Sequence, residues 1–328
     1  MFYSIRHITK FRYEEPVSES IMEVRMQPRT EGTQRCLTFN LSVLPRTRVA
    51  WYRDYLGNIV HHFDVPGQHR RLVIVAEALV DVRPPEDLPD RLHSDAWAEL
   101  DETIAAGDYW EMLMPSHFAR ACPELTAFAA EIGLDGREAA RKTDPLSLVR
   151  EINRGLYESI AYVKSSTTVD SPIEHALRER KGVCQDYAHI MIALLRELGI
   201  PARYVSGYLF HRSGDQTRSA EGATHAWVEV LLPQFGWVGF DPTNDVVATE
   251  RHVRTAVGRD YADVPPSRGV FKGSTKGELS VTVRVAPSDA PPPVEEELAP
   301  AEEWTAVLQE EAAEAAASQQ QQQQQQQQ

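Results

Sequence analysis

The chain has 328 residues, with 34 Lys and Arg against 48 Asp and Glu for a formal charge of −14. At roughly 150 residues per domain this suggests about two folded units, and the anionic balance excludes sequence-independent nucleic-acid binding, which needs cations to neutralise phosphates. The deficit is uneven, because residues 286–328 hold nine acids and no Lys or Arg, leaving 34 basic against 39 acidic residues (−5) in 1–285.

With 42% hydrophobic and 25% charged residues, the body reads as an ordinary globular protein. No apolar run approaches the ~18 residues of a membrane span. The stretch Met1-Phe2-Tyr3-Ser4-Ile5-Arg6-His7 lacks the features of a signal peptide, so the expected compartment is the cytoplasm. Cys36, Cys122 and Cys184 are odd in number and widely spaced, which excludes a disulfide framework or a Cys-rich zinc site and leaves chemistry open to one of them.

Segments 2–13, 17–26, 35–44, 49–53, 58–65 and 71–82 alternate or cluster β-branched and aromatic residues between polar turns. They predict a small antiparallel sandwich or barrel over 1–84, closed by Pro84-Pro85. From residue 95 the period turns helical: 95–106, a stretch from Cys122-Pro123 to Ile132, and a helix led by Asp144-Pro145 through Leu146, Val149, Ile152 and Leu156. Cys184 to Leu198 is apolar on nearly every face and predicts a buried helix, stopped by Gly199-Ile200-Pro201. Strands are predicted at 202–210, 224–232 and 236–241. The fold class is therefore α+β, with a second domain over 85–285 whose buried helix packs on an antiparallel sheet. Residues 286–328, rich in Pro, Glu and Ala and ending in ten Gln, predict a disordered tail.

Cys184 opens the buried helix, where unpaired N–H groups and the helix dipole favour a thiolate. His225 opens one strand and Asp241 ends the next. If that hairpin closes about Gln234, Asp241 lies opposite Trp227 and is a same-face diagonal neighbour of His225. Singly, each residue has an ordinary role open to it: a buried inert thiol, a strand-end imidazole, a turn carboxylate. Together they have the parts of a nucleophile, a base and an orienter.

Arg180-Lys181-Gly182-Val183-Cys184-Gln185-Asp186-Tyr187-Ala188-His189, followed by Gly199-Ile200-Pro201-Ala202-Arg203-Tyr204-Val205-Ser206-Gly207-Tyr208, resembles the nucleophile motif of the bacterial transglutaminase-like proteins, of papain-like Cys-His-Asp type. His225-Ala226-Trp227-Val228-Glu229 and Phe240-Asp241-Pro242-Thr243-Asn244 resemble that family's His and Asp motifs. Asp54-Tyr55-Leu56-Gly57-Asn58 is similar to part of the accompanying β-rich N-terminal region, and 258–266 to a closing segment. The resemblance implies a papain-like catalytic domain with Cys184 as nucleophile, His225 as base and Asp241 as orienter. It also suggests Tyr162 as a donor to the oxyanion, with packing after a helix as its alternative role.

The implied function is cysteine-dependent acyl transfer or hydrolysis on a protein or peptide amide, with a primary amine as the alternative acceptor to water. The competing class is a non-catalytic module of the same fold, whose signature would be loss of Cys, His or Asp. No cofactor and no metal are expected: His61 and His62 point to opposite faces of a strand, and no spacing suggests zinc or calcium. His189 falls off the Cys184 face of its helix and is expected to be structural, and Asp186 to interact with the helix dipole.

Overall fold

The computed structural model describes residues 1–212 and 217–288; the predicted tail lies outside them, apart from its first three residues. The N-terminal region forms β1 (Phe2–Val24), β2 (Gln34–Leu44), β3 (Ala50–Arg53) and β4 (Ile59–Val82). Two pairs of predicted strands are thus single long strands. Glu14-Glu15-Pro16 and Pro66-Gly67 read as turns, but β1 and β4 run antiparallel through both, and the register shifts between Arg12 and Glu19 absorb the irregularity. Proline and glycine mark a bulge here and not a chain reversal.

The helical lead-in comprises α1 (Ala96–Ala106), α2 (Pro123–Glu131), α3 (Arg137–Ala140), α4 (Pro145–Ser159) and α5 (Ile173–Glu179). Capping follows the sequence logic. Asp144 accepts from the N–H groups of Leu146 and Ser147, both at 3.2 Å, and Pro145 takes the first helical position. Between α4 and α5 lies β5 (Ala161–Tyr162), and after α5 comes β6 (Lys181–Gly182), its parallel partner.

The buried helix is α6 (Cys184–Glu197), in which every residue from Gln185 to Arg196 is buried. Gly199, at φ +80°, ends it in the left-handed conformation that glycine adopts without strain. There follow β7 (Ala202–Leu209), β8 (His225–Leu232), β9 (Gly236–Asp241), β10 (Val246–Val247) and β11 (His252–Gly258). Among the described residues these form a five-stranded antiparallel sheet in the order β10-β9-β8-β7-β11. Helix α6 packs on it, with Ala188, Ile192 and Leu195 in one core with Ala202, Val228 and Val230. Arg196, buried in that core, donates to the carbonyls of Met112, Met114, Ala202 and Arg259, so one guanidinium ties the lead-in and the end of the catalytic sheet to α6.

The chain then returns. Strands β12 (Ser267–Phe271) and β13 (Gly277–Ser288) both pair antiparallel with β1, completing a six-stranded sheet with β2, β3 and β4. Residues 267–285, which the sequence assigns to the second domain, therefore belong by pairing to the N-terminal sheet, and Ala286–Ser288 continue β13 where the tail was expected to begin. Alternation alone identifies a strand but not its partner, and the unpaired edge of β1 decided this one.

The two sheets meet at a shared apolar cluster of Tyr3, Ile5, Val80 and Val283 with Tyr208 of β7 and Val253 of β11. Two amide side chains reach across as well. Gln34 donates to the Arg254 carbonyl at 2.9 Å and accepts from its N–H at 2.8 Å. Asn58 makes the same paired contact with Val257. Strand β11 is the edge of its sheet, and these amides satisfy backbone groups that would otherwise be stranded.

Candidate active site

Cys184 is the first residue of α6, half-buried and free of any disulfide. Val183 precedes it in extended conformation, and its N–H is held by Asp186 Oδ2 at 2.8 Å, closing the first turn. Thr167 donates to the same oxygen at 2.6 Å. Burial pushes the Asp186 carboxyl up, against the pull of those donors. Gly182 has no room for a side chain, since a Cβ there would lie 2.9 Å from that of Asp186. The turn thus fixes the start of α6 at Cys184.

The β8–β9 hairpin closes as expected. Val228 faces Phe240, Leu232 faces Gly236, and Gln234 takes positive φ in the turn. Extending that register by one pair sets Asp241 opposite Trp227, on the diagonal from His225. His225 Nε2 lies 2.7 Å from Asp241 Oδ2. Since the carboxylate only accepts, Nε2 carries a proton and Nδ1 is left for the nucleophile, and Cys184 lies close enough to help raise the His225 pKa.

Burial by itself would lower the His225 imidazole; the Asp241 charge and hydrogen bond, with Cys184, raise it to about 10. Burial would likewise raise the Asp241 carboxyl, but His225 and then His252 hold it well below the usual carboxylate range. Asp241 is fully buried and fully engaged. Its Oδ1 accepts from the N–H groups of Thr243 at 3.0 Å and Asn244 at 3.3 Å, and its Oδ2 from Asn244 Nδ2 at 2.7 Å.

Tyr162 sits beside the nucleophile turn because β5 pairs with β6, placing Tyr162 against Gly182. Burial first, and then the nearby Cys184, push its phenol up to about 12. It stays a neutral O–H donor, as an oxyanion site needs. His189 takes no part: it is buried, stacked on Phe118 at 5.1 Å, and its Nε2 accepts from the Tyr261 N–H. His61 is buried and His62 exposed, on opposite faces as expected.

Sequence reasoning missed His252. Its Nε2 lies 3.3 Å from Asp241 Oδ2, so that oxygen faces two imidazoles. The one signal available was a histidine at the start of a strand eleven residues beyond Asp241, which by itself says nothing. His225, Asp241 and His252 bring their ligand atoms within 4.8 Å of one another, the geometry of a metal cluster. The donor chemistry does not fit a metal. The Thr249 N–H donates to His252 Nδ1 at 3.1 Å, so the imidazole proton sits on Nε2 and that atom has no lone pair to offer.

Helix-borne thiol, strand-borne imidazole and buried carboxylate, set on an antiparallel sheet, define a papain-like cysteine-dependent class. The chain belongs to the transglutaminase-like superfamily. Its model matches residues 133–242, and that of the bacterial transglutaminase-like N-terminal region matches residues 3–81. An uncharacterized protein of Mycobacterium leprae is 34% identical over 281 residues, covering 85% of this chain and 96% of that one. A protein-glutamine gamma-glutamyltransferase of Pseudomonas aeruginosa is 33% identical over 195 residues, 56% of this chain but 28% of the relative. Among solved structures, one from Cytophaga hutchinsonii, described as a candidate cysteine protease, shares the fold at a TM-score of 0.68 and 24% identity, covering 89% of this chain and 93% of that one. No helix among the described residues is long and apolar enough to cross a membrane.

Proposed function

We propose that the protein forms a thioester between Cys184 and the carbonyl of a protein or peptide amide, and passes the acyl group to water or to a primary amine. The observation that carries this reading is the buried His225–Asp241 pair, at 2.7 Å, beside the Cys184 thiol at the start of α6. The thiol proton rests on His225 Nδ1, so in the first step the Cys184 thiolate attacks the carbonyl carbon and the carbonyl π pair moves to oxygen. The Cys184 N–H and the Tyr162 hydroxyl are the donors for that oxyanion. Collapse expels the amine, which leaves with the proton from His225. The acceptor then loses a proton to His225 as it attacks the thioester, and the sulfur departs.

Asp241 steadies the imidazolium at both stages and fixes the proton on Nε2. Both acceptors run through the same thioester. The Pseudomonas relative's name lends weight to the amine.

Incubation of the protein with a peptide library and a labelled primary amine tests this. Incorporation of label marks transfer, release of free acid marks hydrolysis, and loss of both in Cys184→Ala is expected. Full turnover by Cys184→Ala, or no acyl-enzyme in the wild type, would overturn the proposal.

A further inference from the structure

We infer that His252 is a positioning residue, a neutral imidazole whose Nε2–H donates to the oxygen of Asp241 that His225 uses and so sets the strength and direction of the His225–Asp241 bond. The inference rests on the catalytic reading of Cys184, His225 and Asp241. The proton placement is geometric. The Thr249 N–H occupies His252 Nδ1 at 3.1 Å, which leaves only Nε2 to carry the hydrogen, and Nε2 points at Asp241 Oδ2.

The ring is held by its neighbours. Trp227 of β8 meets it edge-on at 5.2 Å between ring centres, and β11, which carries it, is clamped by Gln34 and Asn58 from the other sheet. The charged and titratable groups facing it are Asp241 and, at 6.2 Å between ring centres, His225, with Arg251 beside it in the chain. It also lines a cavity of about 460 Å³ whose wall holds the Glu229–Arg254 ion pair at 3.1 Å. Burial lowers its pKa, so it remains uncharged beside His225. A second cation there would repel the imidazolium that the reaction forms, whereas a neutral donor does not.

The physical role follows from how many donors one carboxylate oxygen serves. Asp241 Oδ2 receives His225, His252 and Asn244. Each donor takes part of the charge, so removing His252 leaves more of it for His225.

Imidazole ¹⁵N NMR on the full chain tests this, with Cys184→Ala as background for the titrations so that the thiol does not contribute. In the wild type His252 is expected as the Nε2–H tautomer; an Nδ1–H tautomer overturns the inference outright. In His252→Leu, which cannot donate, the His225 midpoint is expected to rise by about 0.5–1 unit, a fraction of a charge-assisted hydrogen bond.

His252→Gln, which keeps an N–H donor near the Nε2 position, is expected to restore the wild-type midpoint. An unmoved midpoint in His252→Leu, or equal shifts in the two variants, overturns the inference. Should His252→Leu not fold, the Gln variant decides by keeping or losing the wild-type midpoint. Neither readout needs an amide substrate. Failure to find turnover would therefore count against the acyl-transfer reading and not against this one.

Discussion

Asn58, in the N-terminal sheet, brackets Val257 in the catalytic sheet: its Nδ2 donates to the Val257 carbonyl at 2.8 Å, and its Oδ1 accepts from the Val257 N–H at 2.8 Å. The Asn58 side chain is itself fixed, by Asp54 Oδ2 on its amide nitrogen and Arg29 on its amide oxygen. The β-rich N-terminal region thus finishes the hydrogen bonding of the strand that presents His252. Asn58→Ala would leave a buried N–H and a buried carbonyl unpaired, at about 1–3 kcal/mol each when no water replaces the partner. A loss of about 2 kcal/mol or more is expected in urea unfolding at pH 7. A loss within 0.5 kcal/mol, about that of an ordinary surface substitution, would show that the clamp is not needed.

Asp241→Asn keeps the size of the side chain but removes the charge that raises His225. Turnover is expected to fall by about 10³-fold or more, and the His225 midpoint to fall from its value near 10. The stability consequence has a definite sign. A folded-state pKa above the unfolded value stabilises fully below about 6.5 and is lost as pH rises through about 10. Wild type should therefore lose stability across that alkaline window, and the Asn variant should show a flatter profile in urea unfolding at pH 7, 8.5 and 10.

Tyr162→Phe separates oxyanion stabilisation from thiol activation. Loss of one donor to a developing oxyanion costs on the order of 10²-fold in kcat, while iodoacetamide alkylation, which forms no oxyanion, should keep its rate. Equal loss in both assays would assign Tyr162 to packing around Cys184.

His7 is one source of acid lability, alongside His61 and His189. Burial lowers its imidazole to about 4, and it sits between Tyr208 Oη and Thr9 Oγ1, both at 3.1 Å. Because the folded value lies below the unfolded one, the unfolded chain takes up the proton first, and stability is lost as pH falls from about 6.5 towards 4. Roughly 2–3 kcal/mol should go between pH 7 and 4.5 from this one group. His7→Gln, neutral and still able to hydrogen-bond, should lose correspondingly less in denaturation at the two pH values.

What could be read from the residues alone was local. The stop after α6 followed from Gly199 and Pro201, the cap of α4 from Asp144, and the meeting of His225 with Asp241 from a hairpin turning at Gln234. Each depends on neighbours a few residues apart, through backbone conformation or the two-residue period of a strand. Even the strand breaks expected at Pro16 and Gly67 were local signals, overruled because β1 and β4 gained more by pairing through them.

Only the tertiary structure decided that β12 and β13 return to β1, that Asn58 and Gln34 hold β11, and that His252 shares an oxygen with His225. These contacts join residues whose meeting depends on how two sheets pack. No periodicity encodes that, because an imidazole or an amide finds its partner only when burial removes the water that would otherwise satisfy it.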